Sequence, residues 1–276
     1  MTLPTFLGIG VQRGGTTWLH ELLTSHPDIY VPTRRKEIHF FTLYYERGLS
    51  WYEDFFPPDE QTQQYRAIGE ISPSYFYLDN LERITTIPSI NKFILMLRNP
   101  VSRAYSQYGL HVRDQNYSGT FEDFLKNDPY SAIQDGFYNQ RLETYLRYFN
   151  REQILVLIQE QAFANIPQTK QTIAQFLDVL VERFPPNAGV ATINRSYIPK
   201  RSAAYALAFS ISRYLREQDL DGVVNFVKSR GLKRLFGEKG SLPPMKAETQ
   251  QYLKQLFTDD VKKLELLLQM DLKCWQ

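Results

Sequence analysis

The fold is decided by residues 5–23, which form the stretch TFLGIGVQRGGTTWLHELL. The stretch begins with a short apolar run rich in β-forming residues and then turns through two glycines and two threonines. It continues as an amphipathic helix that places Leu19, Leu22 and Leu23 on one face. Backbone N–H groups point outward at such a helix N-terminus, and the helix dipole favours an anion there. The stretch therefore predicts a strand, a phosphate-binding loop and a helix.

The residue after the glycine turn distinguishes this loop from that of a nucleotide triphosphatase. Gly10 and Gly15 have the usual spacing, but Thr16 stands where such a loop has the lysine that reaches the β- and γ-phosphates. The nearest cation is Arg13, inside the loop. We therefore predict a phosphate loop that does not act on a triphosphate. A glycine turn alone is also typical of an ordinary tight connection, but the loop cation, the two hydroxyls and Trp18 favour the functional interpretation.

The composition predicts one large domain with a sizeable core. The 276 residues are 43% hydrophobic and 22% charged, and the simplest interpretation is a single domain over residues 1–276. A net charge of +2 does not indicate general nucleic-acid binding. Cys274 is the single cysteine, so neither an internal disulfide nor a cysteine metal cluster can form, and the four histidines lack a zinc-binding spacing.

The sequence carries no pattern that predicts a membrane span or export. Its apolar runs all fall short of the roughly 18 consecutive residues of a spanning helix. The segment Met1-Thr2-Leu3-Pro4 leads directly into the first strand, without a signal-peptide pattern. We therefore expect a soluble, cytoplasmic protein.

Apolar runs alternate with helical patterns along the chain. Continuous apolar runs predict buried strands at Phe6–Val11, Lys92–Leu97 and Gln153–Ile158, and a further strand is predicted at Arg66–Ile71. Strands that alternate with helices indicate an α/β fold whose central parallel sheet is flanked by helices on both faces.

A second candidate anion site follows the strand that ends at Leu97. The segment Leu97-Arg98-Asn99-Pro100 leads into a helix that carries the hydroxyl of Ser106. In an open parallel sheet, ligands lie at the carboxyl ends of the strands, where both Arg13 and Arg98 are expected. Two anion sites on neighbouring strand ends suggest a ligand with phosphates at two places. By itself, Arg98 is equally typical of a structural ion pair.

Candidate general bases occur in Lys36-Glu37-Ile38-His39-Phe40-Phe41, and the polar-then-aromatic segment Arg34–Phe41 predicts a short helix or turn. Glu37 and His39 are both suitable residue types. The alternative is a surface glutamate beside a histidine whose nitrogens are satisfied by the backbone. A polar run, Glu70 to Tyr75, follows another strand, and a basic loop at Asn194 to Arg201 precedes a later helix.

Together these stretches resemble the sulfotransferases that use 3′-phosphoadenylyl sulfate (PAPS), and most closely the heparan sulfate sulfotransferases, of the glucosaminyl 3-O type, and their bacterial relatives. Residues 10–19 resemble the 5′-phosphosulfate loop, residues 97–108 the 3′-phosphate motif, and residues 36–41 the segment with the catalytic carboxylate. The resemblance implies a P-loop-NTPase-like three-layer fold, PAPS as co-substrate, PAP as product, and no metal. It also explains the two anion sites and the absence of the P-loop lysine.

The resemblance implies a role for each matching residue. Arg13 would bind the bridging oxygen and meet the charge that grows on the leaving phosphate. Arg98 and Ser106 would hold the 3′-phosphate. Glu37 is the expected base, and His39 is its rival. The remaining donor-binding residues comprise the phosphate loop, an indole against the adenine and a late basic loop, namely Gly14, Gly15, Thr16, Thr17, Trp18, Arg195, Lys200 and Arg201.

Two features leave the acceptor open. Ile71 stands where the 3-O-sulfotransferases have a lysine, which argues against simply carrying over a glycosaminoglycan acceptor. The acceptor hydroxyl could belong to a carbohydrate, a lipid or another small molecule. Aromatic residues after Glu37 either line an acceptor pocket or pack in the core, and they are Phe40, Phe41, Tyr44, Tyr45, Trp51 and Tyr52.

Two other functions fit parts of the pattern. A P-loop kinase is disfavoured by Thr16 and by the lack of an evident Mg²⁺-binding aspartate after a buried strand. A nucleotide-binding module without catalysis would keep the loop but would not need Glu37.

Overall fold

A computed structural model describes residues 2–115, 117–127, 131–190, 210–212, 214–229 and 242–275. The chain divides into two compact units. The first comprises Met1–Pro100, Phe137–Ala191 and Phe257–Gln276, and the second comprises Val101–Gly136 and Thr192–Leu256. The prediction of one domain over residues 1–276 stays a prediction.

The first unit contains a five-stranded parallel sheet. The strands are β1 (Phe6–Gly10), β2 (Ile29–Tyr30), β3 (Ala67–Ile71), β4 (Lys92–Leu97) and β5 (Ile154–Ile158). Their order is β2-β3-β1-β4-β5, and every neighbouring pair is parallel. The three central strands are buried along almost their whole length, because helices cover both faces of a sheet of this kind. The sheet confirms the predicted α/β class.

Helices connect the strands. Those of eight residues or more are α1 (Thr16–Thr24), α5 (Pro100–Asp114), α7 (Tyr138–Tyr145), α9 (Ile166–Leu177), α10 (Asp221–Ser229) and α11 (Ala247–Leu268). The shorter ones are α2 (Gly48–Glu53), α3 (Asp59–Thr62), α4 (Glu82–Thr85), α6 (Phe121–Asn127) and α8 (Gln159–Ala164).

The sheet separates two apolar clusters, as successive side chains of a strand point to opposite faces. Along β4, Phe93, Leu95 and Leu97 belong to one cluster, whereas Ile94 and Met96 belong to the other. The first cluster also contains buried residues of α7 and of the C-terminal half of α11. The second contains the apolar faces of α1 and α9. The three-layer arrangement of helix, sheet and helix predicted from the sequence is thereby confirmed.

The segment before Phe40 differs from the short helix or turn that its pattern predicts. Residues 31–39 are irregular, and His39 has a left-handed backbone with φ 59°. A single π-helical turn, Phe40–Tyr44, follows it. The aromatic pair Phe40 and Phe41 is 1% and 0% exposed, so burial of these rings rather than helical periodicity determines the local path.

The second unit is helical in its described part. Arg103 on α5 is wholly buried and donates from Nη2 to the carbonyl of Ala132. The Tyr105 hydroxyl donates to the carbonyl of Pro243, and Thr249 donates to Glu122 on α6. These contacts tie the helices of this unit together.

Candidate functional site

The phosphate loop lies between β1 and α1, against the end of β4. The Val11 N–H donates to the carbonyl of Met96 (2.8 Å), and the Gly14 N–H donates to the carbonyl of Val11 (3.0 Å). Two residues have left-handed backbones, Arg13 with φ 67° and Gly15 with φ 102°. The loop therefore turns back on itself and begins the helix immediately after Gly15.

Both loop glycines are required by close approaches. A Cβ on Gly14 would lie 2.3 Å from the carbonyl oxygen of Met96 and 2.8 Å from Cγ2 of Val11. A Cβ on Gly15 would lie 2.8 Å from Nε2 of Gln159, at a φ that side-chain-bearing residues rarely adopt. The glycine pair thus lets the loop pack against β4 and the start of α8.

The first turn of α1 supplies donors suited to an anion. Gly15 caps the helix, and Thr16 and Thr17 follow it. The first N–H groups of a helix have no partner within the helix, and the helix dipole adds partial positive charge there. Thr16 is buried and Thr17 is exposed, so only the second hydroxyl faces outward.

Arg98 lies beside the phosphate loop. Its Nη1 donates to the carbonyl of Arg13 at 3.3 Å. The backbone at this strand end is anchored by the Tyr138 hydroxyl, which donates to the carbonyl of Arg98 (2.9 Å), and by the Asn99 N–H, which donates to Glu160 (3.0 Å). The two arginines predicted at strand ends are therefore neighbours.

The other residues predicted to bind the donor lie in different parts of the chain. Ser106 lies on α5 in the second unit, and its role stays a prediction. Arg195, Lys200 and Arg201 lie outside the described residues. The Trp18 indole donates to the carbonyl of Gly189 (2.8 Å) and contacts Phe163 edge-on, so it is held in place within the first unit.

A continuous hydrogen-bonded chain links α1 to the candidate bases. Lys36 Nζ donates to Thr17 Oγ1 (3.0 Å) and to Glu37 Oε1 (2.8 Å). The other carboxylate oxygen, Glu37 Oε2, lies 3.4 Å from His39 Nε2. His39 Nδ1 is 2.9 Å from Ser74 Oγ. The structure thus brings together the two candidate bases and the first turn after the phosphate loop.

A buried carboxylate, Glu70, supports this hydrogen-bonded chain through Ser72. The His39 N–H donates to Ser72 Oγ (3.0 Å), and Ser72 in turn donates to Glu70 Oε2 (2.6 Å). Glu70 is wholly buried and also accepts from the hydroxyls of Tyr52 (2.9 Å) and Tyr75 (2.5 Å). Glu70 therefore holds the left-handed backbone of His39 through Ser72. The polar run after β3 signals such a cluster, but its partner at position 39 is not visible in the sequence.

The two carboxylates have opposite electrostatic environments. Burial raises the pKa of Glu37, but His39 and Lys36 outweigh it and lower that pKa to about 2. Burial raises the pKa of Glu70, and its hydroxyl partners offset only part of that effect. Nearby, burial lowers the pKa of His20. Glu37 is therefore ionised at neutral pH and open to a proton donor, with 35% of its side chain exposed.

The aromatic residues after Glu37 are buried or partly buried, and Tyr45 and Trp51 pack against the first core cluster. Phe40, Phe41 and Tyr52 are buried in the core cluster, where Phe40 stacks on Tyr52 with 4.2 Å between ring centroids. Tyr44 is half-buried. The core-packing alternative therefore holds for the three buried rings.

Within the described ranges, no group of three or more His, Cys, Asp or Glu side chains is placed to hold a metal ion. None of the helices in the described part of the chain has the length and apolar character needed to cross a membrane.

Residues 3–208 match the sulfotransferase domain family. The match covers most of the chain, which therefore belongs to this family, and the family predicted from the sequence is confirmed. Human heparan sulfate glucosamine 3-O-sulfotransferase 3B1 is 35% identical over 172 residues, which are 59% of this chain and 43% of that protein. Dictyostelium discoideum membrane-associated sulfotransferase kil1 is 37% identical over 116 residues, 41% of this chain and 24% of that protein. The chain spans less than half the length of these relatives.

Solved structures support the fold. A sulfotransferase from Alicyclobacillus acidocaldarius has a TM-score of 0.69 at 23% identity, covering 100% of this chain and 99% of its own. Mouse sulfotransferase SULT7A1, solved in complex with PAP, has a TM-score of 0.51 at 15% identity, covering 95% of this chain and 84% of its own. These likenesses confirm the P-loop-NTPase-like fold predicted for the sheet and its helices.

Proposed function

We propose that this chain transfers a sulfuryl group from PAPS to the hydroxyl of a carbohydrate, lipid or other small-molecule acceptor in the cytoplasm, without a metal. The observation that carries the proposal is the hydrogen-bonded chain from Thr17 through Lys36 and Glu37 to His39. It joins an anion-binding helix start to a carboxylate and an imidazole. Family membership supports the same reaction.

The loop residues fit a donor with a phosphosulfate. The N–H groups after Gly14 and the Thr17 hydroxyl would hold the 5′-phosphate, and Arg13 would meet the charge on the leaving oxygen. Arg98, beside Arg13, would bind the 3′-phosphate with Ser106. Trp18 would lie against the adenine, and Arg195, Lys200 and Arg201 would add positive charge for the 3′-phosphate.

The transfer balances with one proton acceptor. The acceptor oxygen forms a bond to sulfur as the sulfur–oxygen bond to the 5′-phosphate breaks, and that electron pair stays on the phosphate of PAP. The acceptor proton passes to Glu37, which is ionised at neutral pH. His39 is the rival base, because it lies within 3.4 Å of Glu37 and is oriented by Ser74.

The test uses radiolabelled PAPS with a panel of saccharides, hydroxylated lipids and polyketides. We expect label to pass to at least one class, and PAP to bind in calorimetry. Glu37→Gln should bind PAP at least as tightly as the wild type and lose transfer, whereas His39→Asn should retain part of the rate if Glu37 is the base. Binding of PAP without transfer by the wild type would indicate a non-catalytic module. Tight binding of ATP with Mg²⁺ in place of PAP would indicate a kinase.

A further inference from the structure

We propose that Lys36 is a catalytic cation that leaves Glu37 for the donor's phosphosulfate, so that donor binding frees the base. The inference rests on the proposed sulfuryl transfer and adds a residue and a coupling to it.

The position of the ammonium supports this role. Lys36 Nζ donates to Thr17 Oγ1 (3.0 Å), on the exposed hydroxyl of the first turn of α1. It therefore lies at the same helix end that the phosphate loop offers to an anion. An ammonium has three N–H donors, and within the described part of the chain two of them bind Thr17 and Glu37. With 27% of the side chain exposed, Lys36 lies at the rim of the site and not in its core.

The same ammonium restrains the base. Glu37 is faced by Lys36, by His39 and, from α1, by His20. Together Lys36 and His39 hold the pKa of Glu37 at about 2, and a carboxylate of such low basicity is a poor proton acceptor. Movement of Lys36 toward an anion removes one of these two partners. The basicity of Glu37 then rises when the donor is present.

Among the described residues, the end of β3 carries no lysine or arginine directly after Glu70. The residue after Glu70 is Ile71, which is wholly buried in the apolar cluster between the sheet and α1. The described residues that follow β3 supply the hydroxyls of Ser72 and Ser74. The ammonium of Lys36, directly before Glu37, therefore supplies the positive charge beside the first turn of α1.

The coupling between Lys36 and Glu37 can be tested by the affinity for PAP alone, without a turnover assay. Lys36 is shared between Glu37 and the anion, so Glu37→Gln should release it and tighten PAP binding measured by calorimetry. Lys36→Met should weaken PAP binding about tenfold, the size of one lost charge-assisted hydrogen bond. In the double variant Lys36→Met with Glu37→Gln, the gain from Glu37→Gln should disappear. Lys36→Arg should restore most of the affinity.

The matched control is Lys126→Met. Lys126 is an exposed lysine of the second unit that also pairs with a carboxylate, Asp123 at 3.8 Å. It should leave PAP binding and single-turnover transfer unchanged. Thermal unfolding of each variant checks that the fold is retained.

The outcomes separate this proposal from the function on which it rests. If the wild type transfers sulfuryl from PAPS but Lys36→Met binds PAP and transfers as well as the wild type, Lys36 is only the counter-ion of Glu37 and the proposal is overturned. If Glu37→Gln still tightens PAP binding when Lys36→Met is also present, the proposal is likewise overturned. A wild type that neither binds PAP nor transfers sulfuryl overturns the proposed function itself.

Discussion

Gly14→Ala should displace the phosphate loop and abolish its binding of PAP. The added Cβ would lie 2.3 Å from the carbonyl oxygen of Met96, far inside the distance at which real Cβ atoms are found. Met96 is a residue of the central strand β4, and its carbonyl already accepts the Val11 N–H at 2.8 Å. A backbone atom held in this way cannot move aside as a flexible side chain could. The loop must therefore lift off the strand.

The expected cost follows from this overlap. Overpacking a well-packed site costs about 1–3 kcal/mol of unfolding free energy. In a protein of this size each kcal/mol lowers Tm by roughly 2–4 °C, so we expect a drop of about 2–12 °C. The larger effect is on binding, because the N–H groups and Arg13 move with the loop. We expect the rise in Tm that PAP produces in the wild type to be lost.

The assay is thermal unfolding with and without PAP, with calorimetry for the affinity. Gly222→Ala is the matched control. A Cβ there meets no atom within 4 Å, and alanine is the better helix former by up to about 1 kcal/mol, so Tm should hold or rise. A Gly14→Ala protein with the wild-type Tm and PAP affinity would refute the steric argument.

Three further predictions concern Arg13, Glu70 and Trp18. Arg13→Ala should lower kcat by about 10²–10³-fold with labelled PAPS, because a preorganised charge at the leaving oxygen is lost. Burial raises the pKa of Glu70, so the stability that its protonated form contributes is lost as pH rises through the folded-state pKa. Glu70→Gln should therefore gain stability relative to the wild type as pH rises above about 4.3, the ordinary pKa of a glutamate, measured by chemical denaturation. Trp18→Phe should cost about 0.5–1.5 kcal/mol by the same method, because the bond to the Gly189 carbonyl is lost.

Each of these has a contradicting result. Unchanged turnover in Arg13→Ala would remove Arg13 from the mechanism. A stability difference between Glu70→Gln and the wild type that is constant with pH would show that Glu70 keeps one protonation state across the range. A Trp18→Phe protein as stable as the wild type would show that the indole bond contributes nothing net.

The sequence by itself determined the elements that local patterns specify. The apolar run Lys92–Leu97 forms β4 with those same bounds, and Thr16 begins α1 as the glycine turn predicts. These two predictions succeed because a buried strand and a helix start depend on residues that are adjacent in the sequence. The two candidate bases were also recognisable as residue types, but their ranking was left open, since spacing carries no geometry.

Only the tertiary structure decided which of these residues meet. Lys36 reaches Thr17 across 19 residues, and His39 reaches Ser74 across 35. The residues up to His39 are irregular where a short helix or turn is predicted, because burial of Phe40 and Phe41 outweighs local preference. Contacts of this kind arise from the packing of β1 between β3 and β4, which brings distant loops to one sheet edge. The sequence supplied the glycine loop, and the sheet placed the cation and the carboxylate beside it.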